Sequence, residues 1–365
     1  MKLAVFQDYA HTLSLGLKDS NGEDNTEDDA ASIFFELANA ELIGYRVPNH
    51  SSAISKDDAM LVIKQHNDAR AHTGGIVWET SYLLAAFLSA KYGSFDGNKV
   101  DRDDHPLGKT LEIGAGCGML GLILATTKLA SRVVMTEAAE VMEILTENVD
   151  QNVFEPSTSN SNGQHESDAD DTFGSNVQGV YGTNHLPTCP KQNISVRRLR
   201  WDCLQEDVIA SAYCNSIGQE NDLKPHSFDT IVGTDVVFSP TLVCPLLETI
   251  KLMAQKKNAE STKSTKIYLC LQIRCADSHS MLFSEAHKYG LKVVDITEEL
   301  TLYCPWGIEL ECLLLKINVT EDTSSHSKKR KKSSKEKKSK KASSKDYKRK
   351  NKDKKSHKRR KRDDD

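Results

Sequence analysis

The apolar positions of this chain are concentrated in its middle, and their spacing changes character along it. Residues 41–47 and 59–65 read as short strands, and 66–75 has turn chemistry that ends on Gly74 and Gly75. Trp78 then opens WETSYLLAAFLSAKY, where Leu83, Leu84, Phe87 and Leu88 recur at helical spacing, which predicts a helix laid across the core. From residue 107 short apolar runs alternate with longer helical periods, the signature of a parallel sheet covered by helices. The pattern predicts strands at 110–114, 132–136, 194–201, 228–234 and 266–273, and helices at 119–128, 138–152, 241–256 and 278–289. Two further strands, 291–297 and 309–317, are joined by the turn-like TLYCPWG with no helix between them. A link that short suits an antiparallel hairpin, because a parallel crossover needs a dozen or more residues. The predicted class is therefore α/β: a Rossmann-like sheet of seven strands, the last antiparallel, with helices on both faces.

Composition divides the chain. Residues 1–75 read as an N-terminal extension, a strand-like first seventeen residues followed by an acidic loop at 19–31, DSNGEDNTEDDAA. The α/β domain spans 76–320, with polar stretches near 155–191 and 215–225 that read as disordered insertions at loops of the sheet. Residues 321–365 read as a disordered basic tail. Within it, residues 326–365 hold 22 Lys plus Arg against 6 Asp plus Glu, a net of +16; the whole chain's −4 then leaves −20 on residues 1–325. Such a tail attracts nucleic acid or acidic protein surfaces. Its clusters KKRKK at 328–332 and KRRKR at 358–362 are of the nuclear-import type, so a nuclear location is expected, with cytoplasm second. The chain has no internal repeat. Its nine cysteines, an odd number without Cys-x-x-Cys spacing, read as reduced residues of an intracellular protein, and its twelve histidines show no paired metal-ligand spacing, so no metal is expected. No run approaches the ~20 apolar residues that cross a bilayer, and the start lacks the pattern of a secretory signal, so a soluble, non-secreted protein without membrane contact is expected; a monomer is expected as well.

The candidate chemistry begins at LEIGAGCGMLG, residues 111–121. Glycines 114, 116, 118 and 121 follow a strand and open a helix, where backbone can approach a ligand closely. Gly116, Gly118 and Gly121 also spell the dinucleotide-site pattern G-x-G-x-x-G, so glycine spacing alone leaves two cofactors open. Glu137 ends the next strand, where a carboxylate can accept hydrogen bonds from both hydroxyls of a ribose, and this too fits either. Glu112, two residues before Gly114, makes an acidic-x-Gly-x-Gly-x-Gly start that resembles motif I of S-adenosylmethionine methyltransferases. The terminal hairpin also suits the methyltransferase strand order better than the dinucleotide one.

The resemblance narrows with GGIVWETSYLLAAFL before that motif, RLRWD at 198–202 and GTDVVFSPTLVCPLLETI at 233–250. Together these resemble the protein-lysine methyltransferases grouped with the valosin-containing-protein lysine methyltransferase and its methyltransferase-like relatives, from about residue 59 to 317, interrupted by the two polar stretches. The resemblance implies S-adenosyl-L-methionine as cofactor and a protein lysine as acceptor. It implies cofactor contacts by Trp78, by Glu112 with Gly114, Ala115 and Gly116 in the turn, by Glu137 where relatives usually have Asp, by Trp201 beside the adenine with Asp202 near the adenine amine, and by Thr234 at the end of the fourth strand. Asp235-Val236-Val237-Phe238 matches the family's acidic-x-x-Tyr/Phe signature, which implies catalytic roles for Asp235 and Phe238. Cys117, Met119 and Gln272 depart from the family's pattern, the last on the acceptor side.

On this reading Asp235 orients the acceptor amine and Phe238 walls its channel. Two other classes stay open: methyl transfer to a protein histidine or to RNA, and a non-catalytic adaptor with a methyltransferase fold. The chain lacks an Asn/Asp-Pro-Pro-Tyr/Phe run after the fourth strand, which argues against base amino groups as acceptors. Intact Glu112, Gly114, Gly116, Glu137 and Asp235 argue against an adaptor.

Overall fold

The structure is a computed structural model that describes residues 3–6, 30–47, 59–66, 72–93, 105–154, 189–214, 222–254, 264–304 and 310–320. The expected basic tail, most of the acidic loop and most of both polar stretches lie outside these residues.

Near the start, β1 (Leu3–Val5), β2 (Leu42–Val47) and β3 (Ala59–Lys64) form a three-stranded sheet, with β1 parallel to β2 and β3 antiparallel to it. Helix α1 (Ala30–Asn39) buries Ile33, Phe34 and Leu37, residues whose spacing puts them on one helical face, in the same core cluster as residues of this sheet. The predicted helix after Trp78 is α2 (Glu79–Tyr92), and Phe6 stacks on its Tyr82 with ring centroids 4.2 Å apart. Residues 80–85, 87 and 88 of α2 are all buried, as expected of a helix enclosed on every side.

The main sheet collects β4 (Gly108–Ile113), β5 (Ala130–Glu137), β8 (Ile194–Arg198), β9 (Thr230–Thr234), β10 (Lys266–Gln272), β11 (Leu291–Asp295) and β12 (Cys312–Val319) in the order β11-β12-β10-β9-β4-β5-β8. The pairs among β8, β5, β4, β9 and β10 are parallel, while β12 runs antiparallel to both β10 and β11. The two-residue β6 (Val153–Phe154) and β7 (Cys189–Pro190) pair apart from this sheet. Helices α3 (Met119–Thr126), α4 (Met142–Asn152), α5 (Leu204–Cys214), α6 (Pro240–Met253), α7 (Ala276–Glu285) and α8 (Thr297–Tyr303) connect the strands. Successive strands leave β4 in opposite directions, β5 and β8 to one side, β9 and β10 to the other. Between β4 and β9 the order reverses, and a crevice opens there at the carboxyl ends of the strands.

This is the Rossmann-like seven-strand sheet with reversed final strand that the sequence predicts. Three expectations need correction. The link between the last two strands holds a helix, α8: Asp295 Oδ1 accepts hydrogen bonds from the Thr297 N–H and hydroxyl, and Leu300 is buried beneath it. Residues 30 and 31, expected in the acidic loop, begin α1. Both polar stretches also end in ordered core: Cys189 and Leu223 are fully buried, and Asp222 is clamped between Arg132 and Arg197.

Candidate active site

The crevice between β4 and β9 holds a cavity of about 680 Å³, within the usual range of small-molecule sites. On one side lies the glycine turn. Gly114 and Gly116 have φ of +66° and +53°, the left-handed region that only glycine enters freely. A Cβ at Gly114 would come within 2.9 Å of the Val236 side chain, and one at Gly116 within 3.1 Å of the Gly74 carbonyl. The turn thus has both a backbone shape and close neighbours that exclude side chains.

Glu137, at the end of β5, holds this turn in place. Its Oε2 accepts the Gly116 N–H and its Oε1 accepts the Ala138 N–H, both at 2.8 Å. Burial raises the carboxyl above its ordinary range, and these two N–H groups pull it partly back. Each carboxylate oxygen has two acceptor sites, so both keep capacity for a ligand hydroxyl. The next residues, Ala138, Glu140 and Val141, also line the cavity. They are not helical as expected, since α4 begins only at Met142.

A third wall comes from Leu199 to Asp202, where the chain leaves the sheet after β8. The Leu199 N–H donates to the Glu137 carbonyl, and the Arg200 N–H donates to Asp207 Oδ2 at 2.8 Å. Asp207 is buried and also receives Arg198 and Arg200, so it anchors the loop that carries Trp201 and Asp202.

The opposite wall is formed by Trp78, Ser81 and the residues after β9. Trp78 lines the cavity and its indole N–H donates to the Thr73 carbonyl. The Thr234 hydroxyl lies 3.2 Å from that of Ser81. Asp235 follows with φ +51°, uncommon for a residue with a side chain. Its Oδ1 accepts the Gln272 N–H at 2.7 Å, and its Oδ2 accepts Arg274 Nη2 at 2.9 Å. Phe238 is 42% exposed at the rim.

The structure therefore brings Trp78, Gly114, Ala115, Gly116, Glu137, Trp201, Asp202, Thr234, Asp235 and Phe238 to one cavity. Glu112 is not there. It lies behind the turn, 1% exposed, with its carboxyl packed against Gly121 in the first turn of α3 and its Oε2 without a hydrogen-bond partner among the described residues. Burial pushes that carboxyl up to about 8. Motif spacing alone cannot distinguish such a carboxyl, buried behind the turn, from one that contacts a ligand. Sequence reasoning missed Arg274, Glu79 and Asp207. Asp207 follows RLRWD closely enough to have been weighed as an ion partner for its arginines, whereas Arg274 is brought to Asp235 and Glu79 only by folding.

The strand order and this crevice define a Rossmann-like methyltransferase fold. Residues 55–162, which contain Trp78, the glycine turn and Glu137, match the family model described as lysine methyltransferase, as the sequence motifs implied. An uncharacterised protein of Dictyostelium discoideum is 23% identical over 227 residues, 62% of this chain and 52% of that protein, so the chain spans about half the length of the curated relative it matches. Similar solved structures include an arsenic(III) S-adenosylmethionine methyltransferase from Chlamydomonas reinhardtii (14% identity, 66% of this chain and 73% of that one, TM-score 0.30). Human N-acetylserotonin methyltransferase is another (9% identity, 60% and 49%, TM-score 0.31). Among the described residues no cluster of three or more His, Cys, Asp or Glu could hold a metal, and no helix is long and apolar enough to cross a membrane.

Proposed function

We propose that this protein transfers a methyl group from S-adenosyl-L-methionine to a lysine side chain of a protein. The observation that carries this reading is the pairing, in one cavity, of a nucleoside-type cradle with an acidic and aromatic acceptor seat. Glu137 has acceptor capacity left for two ribose hydroxyls, the Gly114–Gly116 backbone allows close approach, and Trp201 with Asp202 offers a ring face and a polar group to a base. When bound, the cofactor supplies a methyl carbon already activated on a sulfonium.

The remaining work is positional. A lysine amine has an ordinary pKa near ~10.4 and must lose a proton before it attacks. Asp235 Oδ2, on the cavity wall, can accept a hydrogen bond from that amine and orient its lone pair once Arg274, which occupies it here, moves aside. A carboxylate also favours the charged amine, so Asp235 acts as a positioner, and the proton leaves to solvent. Phe238 and Trp78 bring aromatic rings to the cavity, and the Trp78 face, which holds the Arg274 guanidinium here, is of the kind that suits a cationic methylated product.

The test is incubation of the purified chain with radiolabelled S-adenosylmethionine and cell lysate, with protease and nuclease arms. Label in a discrete, protease-sensitive protein band supports the reading; label removed by nuclease would replace the acceptor with nucleic acid. Asp235→Ala should reduce transfer by about 10²-fold or more, as loss of a positioning group at the reacting centre does. Cofactor affinity should be nearly unchanged in that variant and fall strongly in Glu137→Ala. Loss of cofactor binding in Asp235→Ala would put that carboxylate on the wrong side of the site.

A further inference from the structure

The Arg274 guanidinium is held in an arrangement that describes a binding site for a cation. Nη2 lies 3.0 Å from Glu79 Oε1 and 2.9 Å from Asp235 Oδ2, Nε lies 3.2 Å from Asp235 Oδ2, and the guanidinium carbon sits 4.1 Å from the centroid of the Trp78 ring. Two carboxylates and an aromatic face are the groups that attract a positive side chain from any source. These parts come from three places in the chain: Trp78 and Glu79 at the start of α2, Asp235 after β9, and Arg274 after β10. Asp235, Trp78 and Arg274 all line the cavity.

The exposures differ in an informative way. The Asp235 and Glu79 side chains are only 6% and 12% exposed, whereas that of Arg274 is 32% exposed. Two shielded carboxylates cannot be left facing each other without a compensating charge. The arginine, which reaches solvent, is the member that can swing away, and whatever replaces it must itself be cationic.

We propose that Arg274 is an internal stand-in for the acceptor: its guanidinium fills the cationic seat formed by Trp78, Glu79 and Asp235, and an incoming primary ammonium must displace it. This deepens the lysine-acceptor reading and rests on it for the identity of the natural cation. It makes Arg274 a selectivity device, since neutral or anionic groups cannot displace it without stranding the two carboxylates.

The full chain can be titrated with n-butylammonium, a lysine side-chain mimic, by ligand-observed NMR. Arg274→Gln should bind the probe about 5- to 10-fold more tightly than the unaltered chain, the equivalent of one partly exposed ion pair no longer broken on entry. Adding Asp235→Asn should remove the gain. Arg274→Lys keeps the charge but cannot span both carboxylates with a rigid fork, so it should fall between the two. Should Arg274→Gln fail to fold, the lysine variant carries the comparison, and an affinity equal to that of the unaltered chain overturns the proposal. Equal affinity in the glutamine variant, or a gain that survives loss of Asp235, overturns it as well. A lower melting temperature with no gain in probe binding would show a merely structural ion pair. Probe binding gained without any cofactor binding or methyl transfer would keep the seat and reject the methyltransferase reading; transfer to lysine without the gain would reject only the stand-in.

Discussion

At Glu112 a motif residue and a structural residue are the same atom set. Its carboxyl is buried against Gly121 behind the glycine turn, and burial lifts it from an ordinary value of 4.5 to about 8. A carboxyl raised on folding contributes stability that is fully present below the unfolded value and is lost as pH climbs to the folded one. The unaltered protein should therefore lose ~1.4 kcal/mol for each pH unit across that window on account of this group. Glu112→Gln keeps the size and shape of the side chain and removes the titration. Its melting temperature relative to the unaltered chain should rise steadily between pH 5 and 8, and a pH-independent difference would refute the assignment. The same residue shows what the sequence could and could not reveal of the site. Residue type and spacing marked Glu112, Glu137 and Asp235 alike, but whether each carboxylate faces the crevice, braces the turn or pairs with a distant arginine is decided by tertiary contacts. Asp235 and Arg274 lie 39 positions apart and meet only because β9 and β10 are neighbours.

Among elements, the join between the small sheet and α4 is the least expected. Strand β3 pairs with β2 on one side only. Asn152 and Asn148 of α4 meet it instead: Asn152 exchanges hydrogen bonds with the N–H and C=O of Val62, Asn148 does the same with Lys64, and Asn148 also donates to the Cys117 carbonyl. Both asparagines are fully buried. At i and i+4 on a helix they serve as a substitute strand, covering an edge that would otherwise be left unpaired. Asn152→Ala strands a buried donor and acceptor and should cost about 2–4 kcal/mol. Chemical denaturation would measure it, and a loss below ~1 kcal/mol would mean that water replaces the amide. Hydrophobic period alone predicts α4 and the parallel strands, because burial imposes it directly. It passed over α1, α5 and α8, whose starts follow acidic or turn-forming residues, and it could not register a polar pair whose purpose lies on another sheet.

Over the whole molecule the dominant feature is charge asymmetry: −20 over residues 1–325 against +16 over 326–365. Under the proposed function, the seat of Glu79 and Asp235 lies in the acidic part, so a substrate presenting lysine would be drawn toward the body by the same sign of field that repels nucleic acid. The basic segment has the opposite preference. We therefore propose polyanion contact and nuclear import for residues 326–365 and catalysis for the body, two functions that should separate on truncation. The full chain should be retained on immobilised DNA and released by salt, with affinity falling as a steep power of salt concentration because bound counterions are displaced. The chain ending at residue 325 should not be retained, yet should methylate a short lysine peptide at an unchanged rate. A fusion of residues 326–365 to a fluorescent reporter should accumulate in nuclei. Retention of the truncated chain on DNA would place the contact on the acidic body and reopen nucleic acid as an acceptor, while a fall in peptide methylation on truncation would show that the tail takes part in the reaction itself.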